Sequence, residues 1–419
     1  MGHAVCATYL YCGAADLYAE TGEQAVLAAL QRIWGNVTKK RMFITGGVGT
    51  GGGESTRGNP VHEAFLDDYQ LPHDCYCETC SNIGNAMWNW RMLNITGDAR
   101  YADIMERVLY NSGLSPVSIA QDRFFYCNPL VWNVDSPPGH KHHTATRWLI
   151  HDCYCCPPQV ARTISKLQTW AYSIGEEGIW LNLYGGSTLE TELAGETVAL
   201  TQTTEYPWSG HVEIKVTASP ETPFSLRPRI PGWAERASVK INGELSADVA
   251  KGGTYAELHR VWQAGDSVEL DFPMPLRLME SHPEVAANRG RVAVMRGPLV
   301  YCVELPLSAG GEKTWKNGVY FPENIAFTPR FAPDLLGGVV VLEAEALTTA
   351  GKRQFTRDVV SKSEPATNNR SWKNVLYRPF SGRALKEPRA GEVAVSLIPY
   401  YAWANRGVAY MQVWTPLAR

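Results

Sequence analysis

Hydrophobic residues in the first part of the chain recur every three to four positions, the spacing of helices with one buried face. The stretch from Ala4 to Glu20 is rich in Ala, Leu and Tyr. It is punctuated by Thr21-Gly22-Glu23, and a second helical pattern then runs through Leu27, Leu30, Ile33, Trp34 and Val37. The same arrangement returns further on. Met87 to Ile95 gives way to Thr96-Gly97-Asp98, followed by Ala102, Met105, Val108 and Leu109. Aligning the copies puts Thr21 on Thr96, Leu30 on Met105, Ile33 on Val108 and Asn36 on Asn111. The shared threonine, with an acid close behind, is expected to cap the second helix of each pair. A further helix is expected from Val160 to about Ser173, opened by Pro157-Pro158, where the missing N–H groups cost nothing. Repeated helical hairpins predict an α/α toroid or solenoid.

After Gly175 the period falls to two. Ile179–Tyr184, Val212–Val216, Phe224–Arg229 and Val268–Phe272 read as strands, and Asn242-Gly243 marks a tight hairpin. Pro and Gly punctuate each short run, the habit of β-sandwich modules. The expected architecture is therefore α+β and multidomain. It has a helical domain over 1–174, a β-sandwich over 175–275 that residues 407–419 rejoin, and a second β-sandwich over 276–406. A length of 419 residues suits two or three domains.

Composition narrows the functional classes. A net charge of −3 excludes a strongly basic nucleic-acid binder, and 19% charged with 45% hydrophobic residues excludes a largely disordered chain. No apolar run reaches the ~18 residues of a membrane span, and Met1-Gly2-His3 opens no signal peptide. Neither a nucleic acid nor a membrane is expected as a partner. Unpaired thiols favour a reducing cytoplasm.

Those thiols are the sharpest chemical signal. Of ten cysteines, Cys75, Cys77, Cys80, Cys127, Cys153, Cys155 and Cys156 fall within one stretch. A disulfide framework would spread them through a short secreted chain, whereas local clustering suits thiolates gathered round a metal. Cys75-Tyr76-Cys77-Glu78-Thr79-Cys80 and Cys153-Tyr154-Cys155-Cys156-Pro157-Pro158 each supply soft ligands at short spacing, the first with a carboxylate. Zinc accepts both types. Buried free cysteines and a purely structural zinc are the plainer alternatives. The spacing departs from the paired C-x₂-C of a structural knuckle, and Cys156 is followed directly by Pro157-Pro158 and a helix start, where the helix dipole would help hold a thiolate. Gly47-Val48-Gly49-Thr50-Gly51-Gly52 formally matches G-x-G-x-x-G, but no helix pattern follows it, so a flexible loop is expected instead of a nucleotide cradle. His140, His142 and His143 are expected in a solvated loop, with contact between one of them and a sugar as the alternative.

Several motifs together resemble a family. Glu63-Ala64-Phe65, Asp68-Tyr69-Gln70-Leu71-Pro72, Glu78-Thr79-Cys80, Tyr126-Cys127-Asn128-Pro129-Leu130, Cys153 to Pro158, Leu226 to Trp233 and Arg296 to Tyr301 are similar to the zinc-dependent β-L-arabinofuranosidases of glycoside hydrolase family 127. The resemblance implies an (α/α)₆ barrel followed by β-sandwiches, and hydrolysis with retention of configuration. It implies zinc ligation by Glu78, Cys80, Cys155 and Cys156, with Cys155 as nucleophile and Glu63 as general acid/base. His3 and Tyr126 would touch the sugar, and Cys153 would lie beside the metal without ligating it. Cys77 and His62 stand where small residues are expected, Gln159 where Asn is usual, and the Gly51–Val61 insertion precedes the acid/base.

The chemistry is coherent on its own terms. Retaining hydrolysis ordinarily uses two carboxyls, one of them a nucleophile. A metal-held thiolate can replace that carboxylate, since ligation deprotonates a thiol outright. The leading expectation is an exo-acting enzyme on plant-cell-wall-derived β-L-arabinofuranosides. The alternatives are a polysaccharide lyase or a non-catalytic carbohydrate-binding protein with structural zinc. The region 1–174 holds about half the helices of a closed barrel at ordinary helix lengths. An incomplete toroid is therefore expected, with Ala7, Leu10 and Ala14 on an exposed apolar flank that invites aggregation or a homodimer. Low activity of the chain by itself is expected with it.

Overall fold

The computed structural model describes residues 2–50, 63–246, 251–349, 372–381 and 391–418. The Gly51–Val61 insertion, His62 and the last two glycines of the G-x-G-x-x-G match lie outside these residues.

Five α-helices precede Gly175 among the described residues: α1 (Ala4–Thr21), α2 (Gln24–Asn36), α3 (Thr79–Thr96), α4 (Ala99–Tyr110) and α5 (Cys156–Ala171). The two hairpins of the sequence repeat are α1/α2 and α3/α4. Their threonines do a different job from the expected one. Thr21 and Thr96 each end the first helix of the pair, and each hydroxyl donates back to a carbonyl, Leu17 or Met92, at 2.8 Å. Each also accepts from the backbone N–H two residues on, that of Glu23 or Asp98. Gly22 and Gly97 follow with φ of +67°, the left-handed turn that closes a helix and favours glycine. The cap of α4 is Asp98, whose carboxylate accepts from Arg100 N–H at 3.0 Å. The repeat was legible, but its Thr-Gly step is a helix stop before it is a helix start. Helix α5 begins at Cys156, so Pro157-Pro158 sit inside its first turn, where proline is tolerated. On α1, Leu10 is exposed, whereas Ala7 and Ala14 are half-buried.

The chain forms two compact units. One comprises residues 1–88, 107–160 and 276–419; the other comprises 89–106 and 161–275. In the second unit a six-stranded antiparallel sheet runs in the order 187–193, 196–204, 211–218, 267–271, 238–241, 244–245. Strand alternation sets its buried face: Val212, Ile214 and Val216 are buried while their neighbours are not. The expected hairpin is there, with Asn242 and Gly243 both at positive φ between paired strands. A five-stranded sheet centred on 224–230 completes this unit, with 178–181 parallel to the central strand.

In the first unit, ten strands from residue 276 onward belong to one connected eleven-stranded sheet. Strands 409–412 and 415–418 pair within it, against 299–306 and 291–296. The expected return of residues 407–419 to the 175–275 region does not occur. The same sheet also takes in Val131–Trp132 from the helical part of the sequence. That strand is too short to show a period. No described helix is long and apolar enough to cross a membrane.

The second unit is pinned by a buried charge cluster. Arg229, in strand 224–230, is fully buried and donates to Asp103 at 2.6 Å and Glu106 at 2.5 Å, both on α4. Glu106 also accepts from the Tyr206 hydroxyl and the Trp233 indole N–H. Nε of Arg229 donates to the Asn182 carbonyl. Removing one partner strands the others in a low-dielectric interior, which costs about 3–5 kcal/mol for buried pairs. Glu106→Ala is therefore expected to lower unfolding stability by about that much. Lys316→Ala, which breaks only an exposed pair with Glu312, should leave the urea midpoint in place. Equal midpoints for both variants would contradict this role for the cluster.

Candidate active site

Two antiparallel segments and two helix starts build the site, all within the first unit. Segment 76–79 runs beside 126–128, tied by Thr79 N–H to the Tyr126 carbonyl and Asn128 N–H to the Tyr76 carbonyl. The buried Asn128 side chain locks the pair, donating to the Cys77 carbonyl and the Thr79 hydroxyl while Ser115 donates to it. This fixes Glu78 immediately before α3 and Cys80 in its first turn. Cys155 and Cys156 stand in the same relation to α5. Both helices thus point their positive ends, and their free N–H groups, at one spot.

At that spot Glu78, Cys80, Cys155 and Cys156 each place a ligand atom within 4.8 Å of the others. The sulfurs of Cys80 and Cys155 each lie 3.7 Å from that of Cys156, and the Cys155 thiol is 3.4 Å from Glu78 Oε1. Glu78 is buried, no described Lys or Arg pairs with it, and its Oε2 has no hydrogen-bond partner. Burial, then the neighbouring Glu63 and Cys155, push its carboxyl up to about 9. A buried carboxylate facing three thiols without a cation is a donor set that fits a thiophilic divalent metal.

Cys155 differs from the other thiols. Hydrogen bonds from Cys156 and Cys80, then from Tyr126, draw its pKa well down against the opposing effect of burial. Burial drives Cys77, Cys127 and Cys156 the other way. The clustered cysteines therefore separate into two groups. Cys80, Cys155 and Cys156 face one another, with Cys153 at 3.7 Å from Cys155 and outside the four-residue cluster. Cys75, Cys77 and Cys127 are buried and belong to the core.

Glu63 stands on the other side of Glu78: His3, Glu63 and Glu78 also place ligand atoms within 4.8 Å of one another. Its backbone adopts φ of +65°, unusual for a residue with a side chain. Ala4 N–H holds its carbonyl at 2.8 Å. His3 Nδ1 accepts from Val5 N–H at the start of α1, which leaves its Nε2–H to donate to Glu63 Oε2. Tyr76 donates to Glu63 Oε1 at 2.6 Å, and its oxygen meets His142 Nδ1 at 2.5 Å. Tyr126 places its hydroxyl 3.6 Å from the Cys155 sulfur.

All seven residues singled out in the sequence thus lie in one place. Tyr76, His142 and His151 were not among them. Tyr76 alternates with Cys75 and Cys77, a visible but unspecific signal. The solvated-loop expectation fails for all three histidines, whose rings each meet Tyr76 edge-on. His142 reaches Tyr76, and His143 is buried with Nε2 3.0 Å from the Cys75 carbonyl. His151 stacks on Trp148 and accepts from Cys153 N–H at 2.8 Å, which holds the loop before Cys155. The glycine motif is also unlike the expected flexible loop where it is described. Gly47 to Thr50 are buried, with Val48 N–H held by Asn82, Thr50 N–H by the Ala64 carbonyl, and the Gly49 carbonyl by Cys77 N–H. Gly49 has φ of +92°, and an added Cβ would stand 3.1 Å from that of Ala4.

A solved structure described as a glycoside hydrolase superposes on the whole chain with a TM-score of 0.86 at 41% identity, covering 66% of that protein. Three family models then match in order: the β-L-arabinofuranosidase GH127 catalytic domain over residues 1–169, its middle domain over 178–274, and the family's C-terminal domain over 276–416. The chain belongs to glycoside hydrolase family 127. It is similar to a GH127 β-L-arabinofuranosidase from Geobacillus stearothermophilus T6, with 38% identity and a TM-score of 0.83 over 99% of this chain and 60% of that one. It is also 31% identical to the non-reducing end β-L-arabinofuranosidase of Bifidobacterium longum, over 98% of this chain and 59% of that protein. The chain thus spans about three fifths of the length of these two relatives.

With its pKa drawn down, Cys155 should be a thiolate at a pH where an ordinary cysteine, near ~8.5, is protonated. In chelator-treated protein at pH 6, iodoacetamide is expected to alkylate Cys155 before the more exposed Cys6. Peptide mass mapping reads the order, and faster labelling of Cys6 would count against the thiolate.

Proposed function

We propose that the chain is a retaining β-L-arabinofuranosidase with a zinc-held cysteine nucleophile. The observation that carries this is the meeting of Glu78, Cys80, Cys155 and Cys156 at two helix N-termini, beside the Glu63 carboxylate. Three thiolates and a carboxylate suit the tetrahedral preference of zinc. Zinc, when bound, keeps the Cys155 sulfur deprotonated near neutral pH and tempers it enough to leave again.

The protein's own groups do the rest. The Cys155 sulfur attacks the anomeric carbon as Glu63 gives its proton to the departing glycosidic oxygen, leaving the sugar as a thioether on Cys155. Glu63 then takes a proton from water, the water oxygen attacks the same carbon, and the C–S bond breaks to restore the thiolate. Two displacements at one carbon retain its configuration. His3 and Tyr76, which both donate to Glu63, aim its carboxylate, and Tyr126 steadies the sulfur. His3 and Tyr126 are also placed to meet sugar hydroxyls. The helical region is assigned as part of an (α/α)₆ barrel, the substrates as plant-cell-wall-derived arabinofuranosides, and the setting as cytoplasmic.

One zinc per chain is expected by elemental analysis, and Cys80→Ser should lose most of it. An undiminished content would remove Cys80 from the ligand set. On an aryl β-L-arabinofuranoside, Cys155→Ser should abolish turnover while Cys153→Ser keeps a measurable rate. Glu63→Gln should lose about 10²–10⁴-fold in rate, and more on poor leaving groups. Equal losses in the two cysteine variants would break the nucleophile assignment, and turnover that survives chelation would remove the metal.

A further inference from the structure

A cavity of about 360 Å³ in the first unit involves none of the residues of the candidate active site. It falls at the small end of ligand pockets, which run to about 300–1000 Å³. Its walls bring together Arg291, Trp315, Tyr320, Trp414, Gln412 and Asn133. Arg291 starts strand 291–296 and is half-buried. It donates one hydrogen bond, from Nη1 to the Trp414 carbonyl at 3.2 Å. No carboxylate among the described residues pairs with it, and none lines the cavity. Burial without a counter-charge lowers its pKa to about 10, so it still carries its proton at neutral pH. His73, also in the wall, is pushed down to about 4 by burial and by Arg291, which leaves Arg291 as the only charge there.

A half-buried guanidinium with no carboxylate partner among the described residues gains from an anion that meets it. Its planar fork matches a carboxylate or phosphate with two parallel hydrogen bonds. The surrounding walls are aromatic, with Trp315 held flat against Tyr410 at 5.0 Å between ring centres. Gly318 has φ of +76°, and a Cβ there would come within 2.8 Å of the Tyr320 ring, so the glycine lets that ring settle against the turn. Aromatic faces suit the apolar faces of a sugar ring, and the amides of Gln412 and Asn133 can meet its hydroxyls. A bare anion would not need those walls.

We propose that this cavity is a non-catalytic subsite for an acidic sugar, with the carboxylate of a hexuronate unit on Arg291 and its ring between Trp315, Tyr320 and Trp414. The subsite would hold an acidic stretch of polysaccharide or oligosaccharide while the chemistry proceeds elsewhere. It stands independently of the reaction proposed for Cys155.

Calorimetric titration of the whole chain at fixed ionic strength tests this, with D-galacturonate as ligand, D-galactose as neutral control and inorganic phosphate as anion control. Galacturonate should saturate one site per chain, with the two controls at least about tenfold weaker. Arg291→Met should weaken galacturonate about tenfold or more and leave glycosidase turnover unchanged. Trp315→Ala should weaken it with the charge intact, so the test survives if the arginine variant fails to fold. Cys155→Ser should bind as the parent does. Galacturonate binding no tighter than galactose, or unaffected by both substitutions, would overturn the subsite. Phosphate binding as tightly would reduce it to an anion hole and overturn the sugar assignment. Loss of binding in Cys155→Ser would place the ligand in the catalytic site instead.

Discussion

A carboxylate buried among thiols, with no lysine or arginine among the described residues paired to it, is the constraint around which the first unit is arranged. Glu78 is charged at neutral pH only if something positive stands close, and the N-termini of α3 and α5 turn their positive ends toward it. Helix dipoles contribute about 0.3–1 kcal/mol each at exposed sites and up to ~2 when partly buried, well short of the cost of an isolated buried ion. A bound cation would supply the remainder. The donors are correspondingly rigid, since Cys80 and Cys156 lie within helices and the 76–79 segment is locked by Asn128.

Rigidity on one side is matched by held geometry on the other. Glu63 combines a left-handed backbone with two donors to its carboxylate, and neither donor is free to relax. His3 is anchored through the first turn of α1, and the Tyr76 ring is fully buried. Such strain costs on the order of 1–3 kcal/mol, and the surrounding hydrogen bonds maintain it. In the proposed reaction the Glu63 carboxyl gives up a proton and later recovers one from the same direction, a task that gains from an orientation that does not drift. The buried Gly47–Thr50 segment braces this region. Its carbonyls and N–H groups tie to Ser81 and Asn82 of α3 and to Ala64.

Much of this was legible because it follows from local chemistry. Short spacing put Glu78 with Cys80 and Cys155 with Cys156, and the prolines at 157 and 158 marked the start of α5. The repeat located four helices, and the strand runs and the Asn242-Gly243 turn were visible from period and turn chemistry. What escaped was non-local. Nothing near Tyr76 in sequence shows that it bridges Glu63 and His142, 13 and 66 residues away. His143 looked solvated because its neighbours are polar, and only the fold buries it against Cys75. The pairing of Val131–Trp132 with 409–412 joins two residues to a distant strand, below the reach of any periodicity. The threonines of the repeat misled for a different reason. A Thr-Gly-acid step satisfies the rules for a helix end and a helix start at once, and only backbone angles decide between them.

Two arginines show why a charge has to be read with its partners. Arg229 is fully buried and Arg291 half-buried, and their neighbours move them in opposite directions. Asp103 and Glu106 raise the pKa of Arg229, whereas Arg291 has only a tyrosine to favour its charge and is lowered. The first is a closed network in which every oxygen and nitrogen contributes to holding α4 to its sheet. The second lines a cavity with aromatic walls. An arginine without a carboxylate partner at the edge of a cavity argues for a ligand that the protein itself does not supply, just as the uncompensated Glu78 argues for a metal. In both places the unanswered charge is the feature that points outside the chain.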